Sequence, residues 1–477
     1  MARRQHSLFN KVIENLTITG FAAEGKAITR VGEAVVFLNY GAPGDVVDVR
    51  IKKTKKNYFE GEILKIHQPS PDRAEPFCEH YGLCGGCKWQ HLDYQKQLFY
   101  KQQQVIDSLE RIGKVKPGAY ELVPIAGSEK STFYRNKLEF TFSNKRWLTR
   151  EDIESGQEFK DMNALGFHIP GLYDKVLDIN KCWLQPEPSN AIRLAVKDFA
   201  TRHNLTFYDI KLDKGLLRNI IIRNSTRGEV MVSVIFAEND TEKIGLLLGF
   251  IRDNFPEVST LAYFINNKQN SSINDLEPVI FHGKPYMTEE MEGLKFAVGP
   301  KSFYQTNAPQ AYRLYSIARD FAGLEGHEVV YDLYTGTGTI AMFLARKASK
   351  VIGIEYVEEA VEHARQNAAS NGITNSLFFA GDMARVFNEE LLDRHGYPHV
   401  VVTDPPRAGM HPEVVKRIAR SGADKVVYVS CNPATQARDI ELLSESYHLV
   451  RVQAVDMFPH THHVESVALL VRNGLKK

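Results

Sequence analysis

After about residue 308 the chain alternates short, wholly apolar runs with amphipathic stretches: "VVYDLY", "KVIGIE", "VEEAVEHARQNAASNG", "VVVTDPP" and "KVVYVS". Runs that are apolar at every position suit strands covered on both faces, and strands that alternate with helices pair in parallel. The pattern predicts a doubly wound, Rossmann-like α/β sheet. Ligands of such sheets bind beyond the carboxyl ends of the strands, so the residues that close each apolar run are candidates for chemistry.

In "VVYDLYTGTGTIAMFLA" a strand runs into a glycine-rich turn that opens a helix, with Gly336 and Gly338 allowing close backbone approach. Glu355 ends the next strand, nineteen residues after Gly336, where a carboxylate accepts hydrogen bonds from ribose hydroxyls. With Ala341 the spacing also fits a dinucleotide fingerprint, but charge opposes that reading. Asp332, Glu355, Asp382 and Asp404 all fall at strand ends, where they would repel a pyrophosphate and suit a cation. S-adenosylmethionine carries a sulfonium and an ammonium and no phosphate. Taken singly, each acid reads as a helix cap or a solvated loop residue.

At 477 residues the chain suggests about three domains. No apolar run approaches the roughly 20 residues that cross a bilayer, and "MARRQHSLFN" lacks the apolar core of a secretory signal. A cytoplasmic protein, with no membrane partner, is expected. In that reducing setting the five cysteines are ligands or catalysts rather than a disulfide framework. Residues 1–69 read as a small five-stranded barrel, and "QPSPDRAEPF" marks its boundary. Residues 70–300 read as a central, mostly antiparallel β (α+β) domain with an inserted helix at 91–112, and 301–477 as the α/β domain. The formal charge is only +1, yet "RIKKTKKNYFEG" concentrates Lys52, Lys53, Lys55 and Lys56, which would lie on the barrel's rim and meet phosphates.

"FCEHYGLCGGCKWQ" supplies Cys78, Cys84 and Cys87, and Cys182 in "NKCWL" is the remaining candidate for a fourth ligand. Three clustered thiolates and one distant suit a four-cysteine iron cluster; structural zinc and uncoordinated core thiols are the alternatives. Cys431, in "VSCNPATQARD", falls at the carboxyl end of a parallel strand. The helix that "NPATQARD" would begin favours a thiolate there.

"VSCNPATQARD", "VVTDPPRAGMHPEVV", "SFYQTN" and "DMFPHTHHVESVALLVR", in this arrangement around the glycine-rich turn, resemble the RNA uracil-5 methyltransferase family over nearly the whole chain. The resemblance implies that Cys431 adds to carbon 6 of a uracil, that carbon 5 then takes the methyl group of S-adenosylmethionine, and that Glu465 removes the carbon 5 proton. It carries cofactor roles onto Gln305, Tyr334, Glu355 and Asp404, to which the glycine turn adds Gly336 and the acid cluster Asp382. Relatives with this cysteine spacing hold a 4Fe-4S cluster, whose expected role is to tie down a loop beside the RNA. The barrel resembles the TRAM domain, an oligonucleotide-binding-like module. TRAM plus cluster resembles the 23S ribosomal RNA branch more than the bacterial transfer RNA branch, and a monomer is expected. A transfer RNA substrate, a non-catalytic iron-sulfur RNA-binding protein and an amino-group methyltransferase remain alternatives. The last would keep "DPP" but place an aromatic residue where Arg407 stands, and would not need Cys431. His460, His462 and His463 read as a base-contacting or solvated loop rather than a metal site. A uracil in folded RNA must leave the stack to be reached.

Overall fold

The computed structural model describes residues 8–475; the basic start, residues 1–7, lies outside the described residues. Strands β1 (Val12–Thr17), β2 (Gly20–Phe21), β3 (Ala27–Val31), β4 (Ala34–Leu38), β5 (Val46–Thr54) and β6 (Tyr58–Gln68) form one sheet in the order β1-β5-β6-β4-β3-β2. It has six strands instead of five because "NLTITGF" turns at Ile18–Thr19 and divides. Alternate residues of β5 point inward, and Val47, Val49 and Ile51 close on Val36, Leu38 and Phe59.

A helix, α1 (Tyr94–Arg111), and a short strand, β7 (Glu121–Ala126), follow. Both depart from the expected division. The helix at 91–112 buries Val105 and Leu109 against Ala437, Ile440 and Tyr447 of the C-terminal layer, and β7 pairs in parallel with a strand near the chain's end. An apolar helix face takes the cover available to it, and here that cover is the C-terminal sheet.

The central sheet contains β8 (Lys137–Ser143), β9 (Ala164–Ile169), β10 (Leu172–Asp178), β11 (Leu217–Asn224), β12 (Val230–Phe236), β13 (Val258–Ile265) and β14 (Val279–Gly283). Its order is β10-β9-β8-β11-β12-β13-β14, antiparallel except for β12–β13. Helices α2 (Ser189–Arg202) and α3 (Thr241–Asn254) supply Val196, Leu247 and Ile251 to its core. The hairpin β15 (Met287–Met291) and β16 (Leu294–Val298) leads to α4 (Ala308–Ala322) and the last sheet.

That sheet comprises β17 (Val329–Leu333), β18 (Lys350–Glu355), β19 (Ser376–Ala380), β20 (Val400–Thr403), β21 (Lys425–Ser430), β22 (Tyr447–Val455) and β23 (Glu465–Arg472), with β7 at its edge. The order is β19-β18-β17-β20-β21-β23-β22-β7, and β23 alone runs against the rest. Two apolar clusters, one containing Val330, Val402 and Val427 and the other Tyr331, Val401 and Tyr428, cover its faces. Among the described residues no helix is long and apolar enough to cross a membrane.

Candidate active site

The reversed strand makes the site. Ser430 at the end of β21 pairs with Ser466 near the start of β23, so the next positions outward, Cys431 and Glu465, face each other at the sheet's ligand-binding edge. Both line a cavity of ≈ 1420 Å³, together with Gln305, Tyr334, Gly336, Glu355, Asp382 and Asp404. Cys431, Glu465 and these six candidates for the cofactor thus meet in one place, whereas Asp332 does not line the cavity.

The glycine turn is fixed by contacts as well as by conformation. Gly338 opens α5 (Thr339–Ala345) at φ +78°, and a Cβ there would stand 2.9 Å from that of Ala364. Gly336 N–H donates to Glu355 Oε2 at 3.0 Å, and the N–H groups of Tyr356 and Val357 donate to Oε1 at 2.8 and 3.0 Å. Backbone donors therefore hold the Glu355 carboxylate in place. Tyr334 sits at φ +65°, an unusual conformation for a bulky residue in the middle of this turn. Asp382 both lines the cavity and caps a short helix by accepting from Arg385 N–H. Gln305 is set from behind, its carbonyl accepting from Asn136 Nδ2 at 3.0 Å.

Asp332 departs from the expected acid cluster. It is fully buried below the cavity, where it accepts from the Thr335 hydroxyl. Burial raises its carboxyl to about 7. Asp404 is likewise pushed up to about 7 by burial. Burial, with Asp404 beside it, raises Glu465 to about 8, and Arg407 acts in the opposite direction. The Cys431 thiol is pushed up to about 11 by burial and then by Glu465 and Asp404. The helix after it, α6 (Pro433–Leu443), starts as expected with Asn432 as its cap. Desolvation and the two nearby carboxyl groups oppose the thiolate at Cys431. A cationic ligand entering the cavity would favour the ionised form of these carboxyl groups.

Sequence reasoning missed two lining aromatics, Phe303 and Tyr356, which are 73% and 71% exposed. Their signal lies beside residues already singled out, two before Gln305 and one after Glu355. Of the three histidines, His460 is buried and His462 and His463 are half-buried. Burial lowers His460 and His463 to about 4 and His462 to about 3, so all are neutral near pH 7.

Residues 286–473 match the family model described as tRNA (Uracil-5-)-methyltransferase, and residues 13–64 match the TRAM domain. A Bacteroides thetaiotaomicron protein named "Uncharacterized RNA methyltransferase" is 58% identical over 452 residues, 94% of this chain and 99% of its own length. The chain belongs to the RNA uracil-5 methyltransferase family. A Porphyromonas gingivalis protein of the same name is 52% identical to the methyltransferase over 465 residues, 96% of this chain and 100% of its own. The methyltransferase is also similar to Pyrococcus abyssi tRNA (uracil-54, C5)-methyltransferase in complex with S-adenosyl-L-homocysteine. That match has a TM-score of 0.74 at 27% identity and covers 96% of this chain and 100% of the other. The methyltransferase is therefore an S-adenosylmethionine-dependent enzyme of RNA modification.

Cys78, Cys84, Cys87 and Cys182 line a second cavity of ≈ 570 Å³. All four are free thiols. Burial, and then the neighbouring cysteines, push Cys87 up to about 12, and burial first of all raises Cys182 to about 11. Among the described residues, the metal-type side chains whose ligand atoms lie within 4.8 Å of one another are Glu325, His327 and Glu328, not the cysteines. The expected basic rim is partly neutralised, since Lys52 and Lys53 on β5 each meet a carboxylate of β6, Glu62 and Glu60, at 3.0 Å.

Proposed function

We propose that the methyltransferase modifies carbon 5 of a specific uridine in 23S ribosomal RNA, with Cys431 as nucleophile and Glu465 as base. The observation that carries this reading is the β21–β23 register, which sets a thiol and a buried carboxyl opposite each other at the cavity. The Cys431 thiolate forms a bond to carbon 6 and sends the electron pair towards carbon 5. S-adenosylmethionine supplies the methyl group that carbon 5 takes. Glu465 then accepts the carbon 5 proton, the carbon 5–carbon 6 double bond re-forms, and the bond to Cys431 breaks. Tyr334, Gly336, Glu355, Asp382, Asp404 and Gln305 form the cofactor's walls. Phe303 and Tyr356 offer bare aromatic faces to flat ring systems.

Cys78, Cys84, Cys87 and Cys182 hold a 4Fe-4S cluster in this proposal. The fit rests on four unpaired thiols, Cys87 buried and the other three half-buried, around one cavity. A single zinc ion, with Zn–S of about 2.3 Å, needs sulfurs roughly 3.8 Å apart. Among the described residues no three of these sulfurs come within 4.8 Å of one another. A cluster would fix the loop that carries three of its ligands; the methyl transfer itself uses no electron.

A transfer RNA substrate is the second reading, favoured by the likeness to the Pyrococcus enzyme. Mapping 5-methyluridine in ribosomal and transfer RNA from cells with and without the gene separates the two. Loss of the mark from transfer RNA alone would refute the ribosomal assignment. Full methyl transfer by Cys431→Ala would refute the covalent mechanism.

A further inference from the structure

The segment Asp456–Val464 joins β22 to β23 and leads directly into Glu465. It is held largely from outside its own hairpin. From α1, Lys101 Nζ donates to Asp456 Oδ1 at 2.5 Å and to the Phe458 carbonyl at 3.0 Å, and both charged side chains are fully buried. Tyr94 donates its hydroxyl to Asp456 Oδ2 at 2.8 Å, and Gln97 Oε1 accepts from His460 N–H at 2.8 Å. From the segment after Cys87, the N–H groups of Lys88 and Trp89 both donate to the His460 carbonyl, at 2.9 and 3.0 Å. Tyr134, packed against Cys87, donates to the Pro459 carbonyl at 3.0 Å. At the centre of these contacts His460 sits at φ +64°. A histidine persists in the left-handed region where its surroundings over-determine it.

A buried lysine–aspartate pair is weak evidence for stability, because desolvation offsets the attraction, but it does fix geometry. Cys431 needs none of this apparatus, since β21 and the Asn432 cap set its place. Glu465 is different, because it is the first residue of β23 and follows the loop directly, so the loop's path sets where its strand begins.

We infer that α1 and the Cys87–Trp89 segment form a positioning clamp on the loop 456–464, which holds the Glu465 carboxyl towards Cys431 and links the cysteine site to proton abstraction. The inference rests on Glu465 being the base. Gln97, Lys101, Lys88 and Trp89 are positioning residues in it, since none lines the catalytic cavity. Loosening the clamp should slow only the steps that use Glu465: carbon 5 loses its proton, the electron pair restores the double bond, and Cys431 departs as thiolate. Addition of Cys431 and uptake of the methyl group should proceed as before.

The test uses full-length, cluster-loaded protein and a short RNA. Gln97→Met loses the bonds to His460, and Tyr94→Phe, a milder change, loses one bond to Asp456. Release of product is expected to slow about tenfold, as small misplacements of a reacting group do, while first-turnover adduct formation stays within about twofold. Hydrogen exchange of the amides at 456–465 should quicken in both variants and in Cys87→Ser. Equal losses in adduct formation and release, or quickened exchange with unaltered release, would overturn the clamp. If Glu465→Gln traps no adduct, the base assignment fails instead. Exchange then decides, and unaltered exchange at 456–465 in Gln97→Met would reject the clamp by itself.

Discussion

Replacing Glu465 by Gln keeps the shape of the side chain and removes its basicity. With the carboxyl raised to about 8, only about one enzyme molecule in ten carries the carboxylate at pH 7. Release of methylated RNA by the wild type should therefore quicken about tenfold per pH unit below pH 8 and level off above it, because the carboxylate is the form that accepts a proton. General base catalysis is worth about 10²- to 10⁴-fold. The deficit of the variant should reach that size above pH 8 and be about tenfold smaller at pH 7. Neither the addition of Cys431 nor the arrival of the methyl group uses Glu465. If those steps match wild-type release, slowing release a hundredfold leaves roughly 99% of the enzyme as adduct. The assay is a denaturing gel with labelled RNA, run from pH 6 to pH 9. A slow band should appear that requires both S-adenosylmethionine and Cys431. Wild-type turnover by Glu465→Gln, with the same pH slope and no band, would show that another group takes the proton.

Asp332→Asn should stabilise the protein more at pH 8 than at pH 5. A carboxyl raised from 3.8 to about 7 by burial favours the fold while protonated and loses that contribution as the pH climbs between those values. The gain should be at most about 4 kcal/mol at pH 8, and equal melting shifts at both pH values would refute it. Anaerobically purified protein is expected to be brown and to contain iron and sulfide, with less of both in Cys182→Ser. Stoichiometric zinc alone would reject the cluster. Changing Lys52, Lys53, Lys55 and Lys56 to Gln should flatten the salt dependence of RNA binding by roughly 1 to 3 in slope. The carboxylate partners of two of these lysines keep the change below its maximum, and an unaltered slope would remove the barrel from the RNA interface. Substitution is cleaner than deleting residues 1–68. Trp89 Nε1 donates to the Gly25 carbonyl, and a Cβ on Gly25 would come within 2.6 Å of His462 Cβ, so deletion would uncover the catalytic loop.

The parallel sheet was legible because each of its buried strands is a continuous apolar run, and Glu355, Asp382, Asp404 and Cys431 follow from knowing which edge binds ligands. Glu465 was not legible from local pattern. Its place opposite Cys431 depends on β23 running against β21 in a register where Ser430 meets Ser466, and no stretch of sequence records a pairing between distant strands. Only the family resemblance singled it out. Asp332 misled because a strand-end acid looks the same in sequence whether it faces the cavity or turns beneath it to Thr335. β7 escaped notice because "ELVPIA" contains a proline. An edge strand tolerates one, and here the Pro124 carbonyl instead accepts from Gln453 Nε2.

That edge strand also bears on how the enzyme is made. Arg451 Nε meets Glu121 Oε2 across 330 positions of chain, and β7 has no partner strand until β22 is synthesised. At elongation rates of about 5 to 20 residues per second this is a wait of roughly 15 seconds to a minute. Throughout it α1 carries Lys101 without its counter-ion Asp456, and β7 presents an unpaired backbone to whatever lies near. The sheet is thus completed by segments 330 positions apart in the chain. Chains interrupted before about residue 450 lack both Glu465 and the strand that closes over β7, so a shortened transcript yields a client for chaperones and proteases rather than a slower enzyme.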